Sequence, residues 1–432
     1  MRGAALRAQL CNRYPPKFDV WNMRQPMKKK LYITRSLKLL SFGLAVVLST
    51  LLLQTFLLKR IDNNTMRMEA FYLEEKNTVD AVLIGASDVY AGYSAPYAYE
   101  KYGYTSYPYA TQSSPANIVL PQIKEVLKYQ NPKMVIVEIN AFLYKDNELP
   151  NEASARMFAD NVPRDDIWRD YLKDSIPEDK QIEYYFPIIK YHSSWNEYPW
   201  KIKYLNAEIG LKQKGYSLFR GYKTVANEFH STTKVYNDQL ANNDETLPLA
   251  VNGERYLRQT LEYLKDNNIT NVMFMRFPHI VNDSAVNRFK RCNEAGKIIE
   301  SYGYDFVNLE RYSAQAGFDP DKDYYNWDHL NVYGSEKVTD YVANMLQTKY
   351  GITKTEQTEK QIAEWNDSVN YYHMIYNYSQ EMIRRRLELG KTGDGGTTVS
   401  EDEKSINTIK KYARNHPGEG KYDVILDDEE DS

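Results

Sequence analysis

The chain changes hydrophobic rhythm twice. Residues 37–58 are an almost continuous apolar run, with Lys38 near one end. That length meets the roughly 20 apolar residues a bilayer crossing requires, and it predicts a transmembrane helix. Residues 59–77 are polar and read as a stalk or membrane-proximal helix. From Thr78 onward, short β-branched bursts appear at Ala81 to Gly85, Met134 to Ile139, Val272 to Met275 and Tyr304 to Val307, with another at Tyr104 to Ala110. Each has the length and composition of a buried strand.

Between these bursts the period lengthens to that of helices. Ile118, Val119, Ile123, Val126 and Leu127 share one face of a helix ending near Gln130. Leu257, Leu261 and Leu264 do the same within Arg255 to Asn267, and Asn282 is placed to cap a helix reaching Tyr302. Strands alternating with helices predict an α/β fold with a mostly parallel sheet covered on both faces. Ligands of such sheets sit beyond the carboxyl ends of the strands.

Residues 145–250 interrupt the alternation. They are rich in Tyr, Trp, Pro and charge, and predict an insertion of helices and loops serving as a lid over the strand ends. A charged, Tyr-rich helix pair is expected from Thr353 to Arg386, within an extension covering 353–390. Residues 391–432 end in Asp427-Asp428-Glu429-Glu430-Asp431-Ser432 and have the composition of a disordered tail. The main domain is therefore expected to span residues 78–352.

Charge orients the apolar run. Residues 1–36 carry Arg2, Arg7, Arg13, Lys17, Arg24, Lys28, Lys29, Lys30 and Arg35 against the single acid Asp19. The positive-inside rule keeps this segment cytoplasmic and sends the rest of the chain outside the plasma membrane. The run exceeds a typical signal-peptide core and no small-x-small cleavage site follows, so an uncleaved single-pass anchor is expected. Met27-Lys28-Lys29-Lys30 is an alternative start, and the topology is the same from either Met. An acidic exported portion argues against nucleic acid as partner.

Cys11 and Cys292 fall on opposite sides of the predicted membrane, so no disulfide is expected between them. The 38 tyrosines are scattered, which fits packing more than a single sugar-binding surface. No His, Cys and carboxylate spacing suggests a metal, and no phosphate loop or dinucleotide fingerprint occurs, so no cofactor is expected.

Two distant segments carry candidate chemistry. Val82-Leu83-Ile84-Gly85-Ala86-Ser87-Asp88 is a strand ending in a small-residue turn with a serine at its tip. Asp328-His329-Leu330-Asn331 places a histidine before a helix expected to start near Ser335. If the fold joins them, Ser87 is a nucleophile and His329 its base. Alone, Ser87 reads equally as a turn or cap residue. His279, at a strand end, is a candidate for substrate contact or a plain loop residue, and His192 for lining a lid pocket.

On Ile84-Gly85-Ala86-Ser87 and His329-Leu330-Asn331-Val332-Tyr333-Gly334, residues 78–350 resemble the SGNH (GDSL-like) hydrolase superfamily, and most the membrane-anchored branch similar to DltD and alginate O-acetylation proteins. Tyr109-Ala110-Thr111-Gln112 and Glu138-Ile139-Asn140 are similar to its second and third blocks. The resemblance implies a flavodoxin-like three-layer α/β/α domain. It also implies an acyl esterase or O-acyltransferase acting on a cell-envelope glycan or acylated polymer, served by a polytopic membrane acyltransferase. Ser87 would attack, His329 would move the proton, and Thr111, Gln112 or Asn140 would help hold the oxyanion.

The chain departs from that pattern at two positions. The second-block glycine is replaced by Ala110, and the acid three residues before the histidine by Asn326. Asp328 would point away from the required face if the segment is extended, whereas Asp323 could fold back. Three readings stay open: a Ser-His dyad, an acid relocated elsewhere, or a non-catalytic scaffold that binds glycan or an acyltransferase.

Overall fold

The computed structural model describes residues 20–53, 63–146, 152–193, 209–231, 233–388 and 390. The chain divides into two units, Met1–Leu58 and Lys59–Ser432. In the first, helix α1 (Val20–Leu53) contains a 23-residue stretch, Leu31–Leu53, with mean hydropathy 2.0. It is long and apolar enough to cross a membrane. The described stretch covers residues 37–53 of the span expected at 37–58 and extends it back to Leu31, while residues 54–58 lie outside the described residues, as do Cys11 and the acidic tail.

The second unit is built on five parallel strands: β1 (Ala81–Gly85), β2 (Ser106–Ala110), β3 (Met134–Glu138), β4 (Val272–Arg276) and β5 (Phe306–Asn308), in the order β2-β1-β3-β4-β5. Side chains alternate between two buried faces. Val82, Ile84, Tyr107, Tyr109, Val135, Val137, Val272 and Phe274 enter one core; Leu83, Ile136, Met273 and Met275 enter the other. Burial on both sides explains why these strands read as apolar runs rather than alternating ones.

The first core is covered by α2 (Asn63–Phe71) and α5 (Ala116–Tyr129), together with α10 (Val251–Asp266) and α11 (Val286–Ser301). The second is covered by α3 (Ser87–Gly92), α4 (Ala95–Tyr102) and α12 (Val332–Thr348). The chain leaves β1 toward β2 on one side and later adds β3 on the other, so the order reverses beside β1. That crevice is where sheets of this class place ligands.

Several expectations need correction. The stalk is part of the domain: Met66, Met68, Ala70 and Phe71 are buried against the sheet, with the Phe71 ring 4.4 Å from that of Tyr109. Interleaved polar residues, Asn64, Thr65 and Arg67, are buried as well, and they masked these apolar positions in the sequence. The C-terminal extension is one helix, α13 (Glu359–Glu388), rather than a pair. It is anchored where Trp365 stacks on Tyr99 at 4.8 Å and under the Arg220 guanidinium at 4.4 Å. Asn282 caps only a turn before α11, accepting from Ser284 N and Ala285 N, and the helix begins at Val286. The helix after His329 begins at Val332 because the Asn331 side chain accepts from Tyr333 N and Gly334 N.

The insertion divides in two. Helices α6 (Glu152–Ala159), α7 (Asp166–Ser175), α8 (Glu178–Tyr185) and α9 (Pro187–Tyr191) extend the first core through Phe158, Trp168, Tyr171 and Leu172. Residues 222–231 and 233–237 instead run across the loops beyond the strands. Lys223 N donates to Tyr90 O (2.7 Å), Phe229 N to Tyr324 O (2.8 Å) and Tyr236 N to Val281 O (2.8 Å), and Val225 O accepts from Val332 N (3.1 Å). Only this second part lies where a lid was expected.

Candidate active site

Gly85 ends β1 in a space that admits no side chain. A Cβ there would lie 2.4 Å from Val89 Cγ2 and 2.9 Å from Glu138 Cβ. This close approach lets the backbone turn from strand into α3, whose first residue is Ser87. An N–H at that position has no intrahelical acceptor, which leaves it available to a substrate oxygen. Register sets the flanks: Gly85 pairs with Ala110 and Ile84 with Val137, so Thr111 and Asn140 follow the neighbouring strands on either side of Ser87.

The histidine arrives on a tight loop. Tyr324 bridges Leu330, and Tyr325 N donates to His329 O at 2.9 Å. Asn331 holds its base, its Nδ2 donating to Asn227 O (2.9 Å) and Lys322 O (2.7 Å). Trp327 O accepts from Ile280 N, tying the tip to the loop after β4. The Trp327 ring packs against Phe229 at 4.7 Å, so the insertion braces the same loop.

This scaffold brings Ser87 and His329, 242 residues apart, into hydrogen-bond contact: Ser87 Oγ lies 2.6 Å from His329 Nε2. On the other side of the ring, Nδ1 lies 2.9 Å from Asn326 Oδ1. The same oxygen accepts from Asp328 N and His329 N, each at 2.9 Å. Two backbone donors identify that amide atom as oxygen, and an oxygen requires hydrogen on Nδ1. Nε2 is then the acceptor for the Ser87 hydroxyl, the tautomer a general base needs.

The candidate acids lie elsewhere. Asp328, in a bend and not an extended segment, turns away and pairs with Arg288 at 2.6 Å. Burial would raise its pKa, but Arg288 lowers it to about 2. Asp323 is buried against Lys337 and accepts from Asp319 N, so it does not fold back to His329. Burial lowers the His329 pKa, against the charges of Asp88 and Asp328, which raise it.

Among the expected oxyanion donors, Thr111 is fully buried and its amide donates to Gly85 O at 3.3 Å. Gln112 is exposed, with its amide committed to Asn64 Oδ1 at 3.2 Å. Asn140 has its amide on Glu138 Oε2 at 2.7 Å, and its buried Oδ1 accepts no hydrogen bond. His279 is no substrate contact: it is 1% exposed, enclosed between Asp88 and Glu310. Burial of the β4–α11 loop under 222–237 and Trp327 overrides its strand-end position. His192 Nδ1 donates to Ile189 O at 2.9 Å on an exposed turn.

Sequence reasoning missed a buried charged cluster beneath Ser87. Arg276 Nε lies 3.0 Å from Glu310 Oε1 and its NH1 3.3 Å from Glu138 Oε1. His279 Nδ1 lies 3.2 Å from Glu310 Oε1, and its Nε2 3.6 Å from Asp88 Oδ2. Burial and the Asp88 charge push Glu138 up to about 8. The available signal was Glu138 and Arg276 closing otherwise apolar strands.

A cavity of about 430 Å³ lies between the start of α5, α6, α8 and α10, bordered by Ala116, Ile176, Tyr184 and Tyr256, and neither Ser87 nor His329 lines it. Among the described residues no three His, Cys, Asp or Glu side chains converge as a metal site. Compared with known proteins, the chain matches no family model and no curated protein.

Proposed function

We propose that this protein is a membrane-anchored, extracytoplasmic serine esterase or O-acyltransferase of the SGNH (GDSL-like) type, acting on a cell-envelope polysaccharide or related polymer. One observation carries the reading: a serine at the switch point of a parallel sheet, 2.6 Å from a histidine whose other nitrogen is 2.9 Å from an acceptor. The order β2-β1-β3-β4-β5 supports it, being that of flavodoxin-like sheets.

In this reading Ser87 Oγ attacks an ester carbonyl while its proton passes to His329 Nε2. The tetrahedral oxyanion is met by the Ser87 amide and the Asn140 side chain. The intermediate collapses as Nε2 returns the proton to the leaving alcohol, giving an acyl-serine. Water, or a sugar hydroxyl deprotonated by the same Nε2, then releases the acyl group. Asn326 keeps the ring in the productive tautomer, the part an asparagine plays in Cys-His-Asn proteases.

The helix of residues 31–53, preceded by basic residues, supports an anchor with the second unit outside. A tether raises effective concentration near a donor delivered through the membrane by a polytopic acyltransferase. The second reading, a non-catalytic scaffold that binds glycan or that acyltransferase, is favoured by the amide at position 326.

Fluorophosphonate labelling of the full chain in detergent decides between them. The enzyme reading expects an adduct in the wild type, none in Ser87→Ala and little in His329→Ala. Absence of a Ser87-dependent adduct together with no turnover of an acetyl ester sinks it.

A further inference from the structure

Among the described residues five arginines are buried: Arg67, Arg156, Arg220, Arg276 and Arg291. Four of them meet an oxygen. Arg156 pairs with Glu152, Arg220 with Glu74 and Arg276 with Glu310, while Arg291 Nε donates to Leu143 O. Arg67 differs. It is 8% exposed, its Nε and NH2 are enclosed without a hydrogen bond, and no described carboxylate lies within ion-pair distance of it. What the guanidinium meets instead is the Tyr90 ring, 3.9 Å from its centroid. A stack on a ring offsets part of the cost of burying a cation and leaves the N–H groups unsatisfied. A charge kept inside on those terms points to a ligand more than to a gain in stability.

The guanidinium lies toward the edge of the sheet that carries Ser87. Tyr90 comes one turn after Ser87 in α3, and a helical side chain leans toward the N-terminal end of its helix. Helix α2 is fastened at that edge, because Asn64 Oδ1 accepts from Gln112 N in the loop after β2. In the same loop Thr111 Oγ1 and Ser114 Oγ are buried without a hydrogen bond. Lys223 N donates to Tyr90 O at 2.7 Å, which brings a second basic residue to this turn of α3. Arginine can only donate, and hydroxyls can donate as well, so the group is built of donors that lack an acceptor. A carboxylate or phosphate supplies one in the geometry a guanidinium fork matches. Of the three guanidinium nitrogens NH1 is not enclosed, and it is the one such a ligand reaches first.

We propose that Arg67 anchors an oxyanion, a carboxylate or phosphate group, carried by the polymer on which Ser87 acts. The substrate is then an acidic polymer, held by its charged group beside Tyr90 while its ester reaches Ser87. The assignment to substrate rests on the esterase or acyltransferase reading, whereas binding of the oxyanion does not.

The test uses the full chain in detergent with sodium phosphate, sodium acetate or sodium chloride at equal ionic strength. Phosphate or acetate should raise the melting midpoint saturably by about 2 °C or more over chloride, and the stronger of the two names the group. Arg67→Met should abolish that rise, and in chloride should melt no lower than the wild type because it removes an unpaired buried charge. With 4-acetoxybenzoate and the neutral 4-acetoxybenzamide as substrates, the same variant should cut the preference for the anionic ester about fivefold, through KM. No rise with either oxyanion, or a rise that survives in Arg67→Met, overturns the proposal. A lower chloride midpoint in that variant overturns it too, since Arg67 would then be a brace for α3. Should Arg67→Met not fold, Arg67→Lys decides: loss of about half the rise or more supports a guanidinium contact, and an undiminished rise places the oxyanion elsewhere. An oxyanion effect with no change in ester preference overturns the assignment to substrate. Lack of a Ser87-dependent adduct with the Arg67-dependent rise intact would instead remove the esterase reading and leave the oxyanion contact standing.

Discussion

Asn326 Oδ1 stands 2.9 Å from His329 Nδ1, the side of the imidazole that a carboxylate occupies in a serine triad. The loop is therefore intact as a positioning device, and only the charge of the third group differs. The same oxygen closes the turn through the amides of Asp328 and His329, which makes it structural and chemical at once.

Asn326→Asp should preserve these contacts and add charge. Kcat on an acetyl ester is expected to rise at least tenfold, well inside the roughly 10⁴-fold difference between Asp and Asn in a related triad. Asn326→Ala removes the acceptor of three N–H groups. It should nearly abolish Ser87 labelling and destabilise the domain by about 1–3 kcal/mol. Single-turnover acylation and denaturant melts check both.

The proposed mechanism needs neutral His329. Because burial lowers its pKa against the opposing charges of Asp88 and Asp328, the acidic limb of kcat/KM should fall below pH 6.5. The sign for stability follows from the same shift. Between the folded pKa and 6.5 the unfolded chain binds more protons, so this residue's contribution rises with pH and is complete above 6.5. Rate profiles from pH 4.5 to 8, with unfolding of wild type and His329→Gln over the same range, measure the two effects. A limb above pH 7 would contradict the burial of the ring.

Gly85→Ala should disable the site through packing alone. The added methyl meets Val89 and Glu138 below ordinary contact distance, so α3 must shift and carry Ser87 with it. A cost of about 1–3 kcal/mol is expected, with loss of labelling exceeding the loss of folded protein. Parallel thermal melts and adduct mass spectrometry separate the two.

Trp365→Ala probes whether α13 belongs to the domain. The indole is 5% exposed between Tyr99 and Arg220, and Arg220 also pairs with Glu74 at 2.5 Å. Truncation should cost about 3–5 kcal/mol. An unchanged denaturation midpoint would show that the helix is dispensable.

Strand positions were legible in the sequence because each strand is buried on both faces, and the β-branched bursts that result have few alternatives. The serine was legible for a related reason, since small residues at the end of a buried strand mark a tight turn. The docking of α2 on the sheet was not legible because its apolar residues are interleaved with Asn64, Thr65 and Arg67, which are buried with them. The single helix α13 was split because its charged residues hide Trp365, Tyr372 and Ile375, which are buried.

By itself the sequence determined the apolar helix, the parallel strands and the identity of a serine and a histidine at loop positions. These follow from local composition and period, which act within about ten residues. Only tertiary structure decided that Ser87 meets His329 across 242 residues, that Asn326 and not Asp328 faces the ring, and that His279 is sealed inside with Asp88 and Glu310. Those outcomes depend on side-chain direction and on burial beneath residues 222–237. Both are fixed by contacts between segments far apart in the chain, and no local pattern encodes them.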